Sequence, residues 1–393
     1  MIGCWLRGVW GRMRTMPAPR RPDLLLVLRG LAALAVMLRH LLWAPYPGPG
    51  WTWVIAPWGY IPVLVFFALS GYLITKGFCA GRYDADRRGS LGEYYRNRFF
   101  RIVPLYYAAI LVCALVYLDR TLADPGRVLA LFVLYENYRP VRIIFNNPFW
   151  TIPIEVFYYA LAPALFVVMR WTDRRVGWPV LLAAILGFYA AYSWFLFRPY
   201  PSPAEWHRAA HVGFFYNLQA FLIGATANFV VLRLRGSALA SHRQLRGLLK
   251  VVLVLGGAAL LAWGHFGYDA WHAARRVHPF TLYGLVPSVA LLVGLLAFLQ
   301  DTRIASDAGP RATTARVLRA FEWLGLISYG VYLFNVPVAA VIDRFVPLAG
   351  NARALAVVAA TLVLSTLAYH AIERPFMRLR TRPLEQQREL GSV

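Results

Sequence analysis

Lysine, cysteine and acidic side chains are all scarce in this chain, and each scarcity closes off a class of protein. The three cysteines, Cys4, Cys79 and Cys113, are an odd number without metal-ligand spacing, so they outline neither a disulfide framework nor a zinc site. Lysine occurs only at Lys76 and Lys250, and 18 Asp and Glu stand against 41 Lys and Arg, leaving a formal net charge of +23. That excess is arginine scattered through short loops, not a basic face on a soluble fold. It excludes nucleic-acid binding as its purpose and suits anionic lipid headgroups. No unit of about 20–50 residues recurs and no inverted pair of halves is visible, which removes solenoids and repeat-built transporters. The longest loops between apolar runs, near 77–100 and 301–320, hold only short amphipathic stretches.

What is abundant is apolar surface. The 393 residues are 59% hydrophobic and 15% aromatic, with a mean hydropathy of +0.51, outside the range of soluble domains. Runs of spanning length, about 20 residues, occur near 23–43, 54–76, 101–118, 148–170, 177–197, 211–232, 248–265, 280–300, 322–346 and 353–372. The expected fold is therefore all-α, a polytopic membrane bundle of about ten helices. A shorter run at 128–135 suits an interfacial or re-entrant piece. Arginines concentrate in alternate loops, from Arg82 to Arg98, Arg170 to Arg175 and Arg233 to Arg246, and again after Arg374. With positive charge retained inside, both termini are expected to be cytoplasmic. Trp43, Trp51, Trp53 and Trp58 would form an aromatic belt at the outer boundary.

Residues 1–22 read as a basic cytoplasmic tail, with Met13 and Met16 as alternative starts, 23–378 as the membrane domain and 379–393 as a second tail. The first apolar run is long and lacks an A-x-A-like site, so a retained anchor helix is expected instead of a cleaved leader.

Ionisable groups inside the spans are expensive and mark a site by default. In RGLAALAVMLRH, Arg29 and His40 are eleven positions apart, which puts them within roughly 20° of one helix face and about 16 Å apart. VFFALSGYLI places Ser70 and Gly71 near the inner end of helix two, where small residues allow close backbone approach. RNRFFRIVPLYY sets Arg98 and Arg101 on one face, two guanidiniums suited to a phosphate group. NPFWTIPIEVFYY carries Glu155 about two turns into helix four, level with His40 if the two helices run antiparallel. A carboxylate orienting an imidazole is the arrangement that general-base catalysis needs, and equally a pair that locks two helices. GLISYGVYLFNVPV and HAIERPFMR, with Glu373 and Arg374, complete the set. For the last pair, an ion pair and a ligand contact are equally compatible with the residues.

This ordered set, Arg29-x10-His40, FFALSGYLI, RxxR before IVPLYY, FWTIPIE-VFYY, ISYGVYLF and IERP, resembles the acyltransferase 3 family of multi-pass membrane O-acyltransferases, from about Leu24 to Arg378. The resemblance implies transfer of an acyl group, usually acetyl, from cytosolic acyl-CoA to a hydroxyl, with no metal. It implies an enzyme of the bacterial inner (plasma) membrane. The implied acceptor is a carbohydrate or lipid-linked glycan, such as exopolysaccharide or O-antigen, with a macrolide-type small molecule as the alternative. Arg29 and His40 match the family's first-helix pair, Arg98 and Arg101 its RxxR motif associated with CoA phosphates, and Glu155 its helix-four acid. Asn335 stands where many members carry His, so that histidine's role is in doubt here.

The expected roles are His40 as base held by Glu155, Arg98 and Arg101 on the donor phosphates, and Arg29 with Ser70 along the donor path or at the oxyanion. A direct transfer and an acyl-His intermediate are both open. The competing class is a transporter or flippase using the same groups as a proton relay. Acyl chain length, acceptor identity and oligomeric state are not legible.

Overall fold

The structure is a computed structural model that describes residues 21–43, 60–134, 147–196, 214–235, 237, 242–263, 284–301 and 312–380. Trp51, Trp53 and Trp58 of the expected tryptophan belt and most of both tails lie outside these residues. The described residues are helical, with no strand among them. In chain order the helices are α1 (Leu24–Trp43), α2 (Tyr60–Cys79), α3 (Arg88–Val116), α4 (Leu118–Ala123), α5 (Pro125–Phe132), α6 (Thr151–Val176) and α7 (Trp178–Leu196). They continue with α8 (Phe214–Arg235), α9 (Arg243–Ala262), α10 (Leu285–Asp301), α11 (Ala312–Leu326), α12 (Ser328–Phe345), α13 (Gly350–Ala368), a π-helical turn (Tyr369–Glu373) and α14 (Arg374–Arg378).

Six helices among the described residues are long and apolar enough to span a membrane, and α11 with α12 adds a seventh if that pair is one span. The run expected as a single span at 322–346 is broken: α11 and α12 meet at Ile327 with a bend of 71°. The runs expected near 177–197 and 280–300 are shorter apolar helices, α7 and α10. Hydropathy sums over a window and does not register a change of axis within it, which is why the bend was invisible. The chain is a multi-pass membrane protein of helical type.

Two glycine crossings set the helix positions. A Cβ added at Gly30 on α1 would lie 2.3 Å from the Phe321 carbonyl oxygen, and one at Gly325 on α11 would lie 2.1 Å from that of Leu26. Likewise Gly71 on α2 and Gly224 on α8 face the carbonyls of Phe221 and Ala68, at 2.0 and 2.2 Å. Without a hydrophobic force between helices in lipid, such small-residue contacts supply the packing. Each crossing also aims its neighbour: Arg29 precedes Gly30 and Ser70 precedes Gly71, and both line the same cavity.

Next to the second crossing an aromatic column ties three helices. Phe67 of α2 stacks on Phe221 of α8 at 4.6 Å, and Phe221 stacks on Tyr158 of α6 at 4.1 Å. Ser70 is three residues after Phe67, and Glu155 three before Tyr158, so the column brings both to one level. Each such pair adds about 0.5–1.5 kcal/mol beyond burial. At the end of the bundle where α1 starts, Asp301 accepts from Lys76, Tyr72 and Arg235 and so joins α10 to α2 and α8. Asp23 caps α1 by accepting from the backbone N–H groups of Leu25 and Leu26.

Candidate functional site

An open cleft with a cavity volume of about 130 Å³ runs through the bundle from Asp23, beside the start of α1, to Val63 and Thr151. Its polar lining is Arg29, Ser70, Thr151, Glu155, Ser328 and the two tyrosines Tyr329 and Tyr332. Phe66 and Phe67 form part of its apolar wall. Arg29 is held at the cleft by its Nε–H, which donates to Ser328 Oγ at 2.8 Å, and by the Phe66 ring, 5.9 Å away. Glu155 accepts from Ser70 Oγ at 3.1 Å and from the Tyr159 hydroxyl. Arg29, Arg101, Glu155 and Glu373 lie close enough for their charges to interact. The acid and the arginine thus offset one another across the cavity without bonding directly, and the remaining guanidinium donors of Arg29 have no carboxylate partner among the described residues.

The expected partnership of His40 with Glu155 is not formed, and this corrects the sequence reading. Glu155 takes Ser70 and Tyr159 instead, while His40 Nδ1 lies 2.7 Å from Asn335 Oδ1. The reason is depth. Counting from a membrane edge put Glu155 level with His40, but α6 begins inside the bundle after a 3₁₀ turn at Asn147–Trp150, with Phe149, Thr151 and Ile152 all buried. The Tyr332 hydroxyl meets Thr151 Oγ1 at 3.0 Å, and Asn335 is a further turn along α12. Among the described residues the cleft lining stops at that Thr151–Tyr332 contact, one turn short of the His40–Asn335 pair.

Asn335 decides the state of the imidazole. Its amide nitrogen donates both protons, to the Val331 carbonyl at 2.9 Å and the Tyr332 carbonyl at 2.8 Å, so its oxygen is what faces His40. His40 Nδ1 must then carry the proton, so in the neutral ring the lone pair is on Nε2. An amide acceptor orients the ring without adding charge.

Ser70 sits midway along α2, not near its end as expected. The arginines of the RxxR pair take different neighbours. Arg101 forms an ion pair with Glu373 and lies 3.4 Å from Met377 Sδ, and Arg98 lies over the rings of Tyr94 and Tyr159 at 5.7 and 5.5 Å. Glu373 therefore makes the ion pair that was one of its two open readings. Among the described residues no group of three or more His, Cys, Asp and Glu is arranged to hold a metal.

Sequence reasoning did not pick out Ser328, Tyr332 or Tyr159, and saw Asn335 only as a departure. The available signal was a polar side chain in an apolar run, which has to find a partner once buried. Asn335 is 1% exposed and Ser328 fully buried.

Comparison with known proteins covers the same region. The model of an acyltransferase domain, acyltransferase 3, matches residues 25–370. Peptidoglycan O-acetyltransferase OatA of Listeria monocytogenes is 25% identical over 380 residues, covering 89% of this chain and 55% of that protein. Putative peptidoglycan O-acetyltransferase YrhL of Bacillus subtilis is 26% identical over 369 residues, 88% of this chain and 54% of that one. Nodulation protein 10 of Rhizobium leguminosarum is 24% identical over 382 residues, 90% of this chain and 93% of that one. The chain thus spans about half the length of the two peptidoglycan O-acetyltransferases it matches. No solved structure matches it.

Proposed function

Since the chain belongs to the acyltransferase 3 family, we propose that it transfers an acyl group, acetyl in the first instance, from cytosolic acyl-CoA to a hydroxyl of an envelope or secreted glycan. The observation that carries this reading is the cleft that starts beside Asp23, passes Arg29, Ser70 and Glu155, and ends one turn from an imidazole whose Nδ1 is held by Asn335 Oδ1. A donor entering at the Asp23 end and an acceptor arriving at the His40 end would meet there. The arginine-rich loops support a cytosolic Asp23 end, in the inner membrane of a bacterium.

The donor's phosphates rest on Arg98 and Arg101, and its pantetheine arm follows the cleft past Arg29. His40 Nε2 takes the proton of the acceptor hydroxyl as its oxygen attacks the thioester carbonyl. The C–S bond breaks, the ester forms, and the CoA thiolate recovers the proton from His40. Arg29, about 16 Å from His40 along α1, lines the donor path with Glu155 as its counter-charge. The peptidoglycan named in two relatives supports a glycan acceptor over a macrolide-type one.

A second reading has its own observation. Ser70 donates to Glu155 within the cleft, whereas His40 is outside the described lining, so the acyl group would pause on Ser70 Oγ with Glu155 taking its proton. Purified protein in nanodiscs, given labelled acetyl-CoA and envelope glycan, tests both. Label on the glycan that His40→Ala abolishes supports the first, and label trapped on the wild-type protein without acceptor but lost in Ser70→Ala supports the second. A wild-type protein that labels neither glycan nor itself overturns the acyl-transfer reading.

A further inference from the structure

We propose that Arg380, in the turn after the last helix, is a third guanidinium of the phosphate site formed by Arg98 and Arg101, and that Glu373 is the counter-anion that occupies Arg101 until a phosphate replaces it. The inference rests on the donor reading above and adds two residues to it.

The π-helical turn is what builds this corner. It widens the end of α13 and turns Glu373, 2% exposed, onto Arg101, while α14 behind it packs on α3 and brings Arg380 alongside. Polar atoms are left over on every member but Arg101. Arg98 Nε, Arg380 Nε and Nη2, and Glu373 Oε2 are buried and have no hydrogen-bond partner among the described residues. Burial, with Arg101 and then Arg98 adding their charge, pulls the Arg380 guanidinium down to about 10.

Three guanidiniums against one carboxylate leave two positive charges in a half-buried corner. A phosphomonoester dianion offsets that surplus and accepts from the orphan donors, as planar guanidiniums do well. The corner adjoins the cleft through Tyr159, whose ring lies under Arg98 and whose hydroxyl donates to the cleft residue Glu155.

The same chemistry is found on a nucleotide donor and on a lipid headgroup, so the test separates them. The full chain in phosphatidylcholine nanodiscs is titrated with acetyl-CoA, 3′-dephospho-acetyl-CoA and adenosine 3′,5′-bisphosphate. Arg380→Ala is expected to weaken acetyl-CoA and the bisphosphate by about tenfold to a hundredfold, the range for charge-assisted hydrogen bonds, and Arg380→Lys to recover most of it. Glu373→Gln, which releases Arg101, is expected to tighten the bisphosphate severalfold. Arg380→Gln carries the same expectation as Ala should the shorter side chain lower the yield of folded protein.

Unchanged binding in folded Arg380 variants, or weaker binding in Glu373→Gln, overturns the inference while leaving the donor reading standing. A wild-type protein that binds neither acetyl-CoA nor the bisphosphate overturns both. In a parallel set of discs that also contain phosphatidylglycerol, an Arg380→Ala effect confined to the thermal stabilisation conferred by that lipid assigns the phosphate to a lipid, and the donor assignment of Arg380 fails.

Discussion

His40 and Asn335 are joined at 2.7 Å across α1 and α12, by a bond whose direction is fixed at one end only. Asn335 has spent both amide protons on the carbonyls of Val331 and Tyr332, so it accepts from His40 and cannot donate to it. The ring is held in the tautomer a general base needs by a neutral group belonging to a different helix.

Asn335→Ala leaves the Nδ1 proton without its acceptor and releases the ring. Because a positioned general base contributes about 10²–10⁴-fold, we expect kcat to fall roughly a hundredfold or more, with acetyl-CoA affinity unchanged. Asn335→Asp sets a carboxylate on the imidazole, which favours its protonated form. The base is then lost at a higher pH, so the acid limb of the pH–rate profile moves upward. A profile that does not move would remove His40 as the titrating base.

Gly71→Ala is expected to be disruptive and Gly187→Ala harmless. A methyl at Gly71 would sit 2.0 Å from the Phe221 carbonyl oxygen, which is backbone and cannot step aside, whereas at Gly187 nothing lies within 4 Å. Overpacking costs about 1–3 kcal/mol or more. An alanine in an exposed helix position gains about 0.5–1 kcal/mol over glycine. Thermal unfolding in detergent should show Gly71→Ala melting lower and Gly187→Ala level or higher. Equal melting of the two would mean that α2 and α8 do not cross at this point.

The sequence made some of this legible and concealed the rest for physical reasons. Arg29 and Ser70 could be singled out because an arginine or a Ser–Gly pair in an apolar run violates the local pattern, and the close approach expected at Gly71 is present. Pairings between helices could not be counted out in the same way. The level of Glu155 depends on α6 starting inside the bundle, and that start is set by Phe149, Thr151 and Ile152 packing against distant elements. The break at Ile327 is similarly non-local: α11 leans on α1 through Gly325, and only the contact with Leu26 reveals it. Hydropathy reports that a segment prefers lipid or protein to water, and carries no information on which neighbour it meets.

Glu155→Gln tests whether the acid matters for its charge or its shape. The amide keeps an oxygen for Ser70 and Tyr159, so the helices should stay in place, but the cavity loses the charge that offsets Arg29. Expected is a loss of about a hundredfold in kcat with an unchanged melting temperature, against less than tenfold for Tyr159→Phe, which removes only one donor. Full activity in Glu155→Gln would reduce the acid to a packing residue.

Asp301 should be the most costly acidic residue to lose for stability without touching the cleft. It accepts from Lys76, Tyr72 and Arg235, with 13% of its side chain exposed. Asp301→Ala would leave the two cations facing each other with no anion between them. Breaking a fully buried pair costs about 3–5 kcal/mol, and because Lys76 and Arg235 are each about one-third exposed the loss should be nearer 2 kcal/mol. A second change, Lys76→Met, removes one of the stranded charges and should restore part of that loss, which simple deletion of packing at α10 would not predict. Unfolding of the single and double variants at low and high salt measures both terms: the Asp301→Ala defect should shrink as salt screens the repulsion, and a defect independent of salt would show that the aspartate acts through its hydrogen bond to Tyr72 and not through charge.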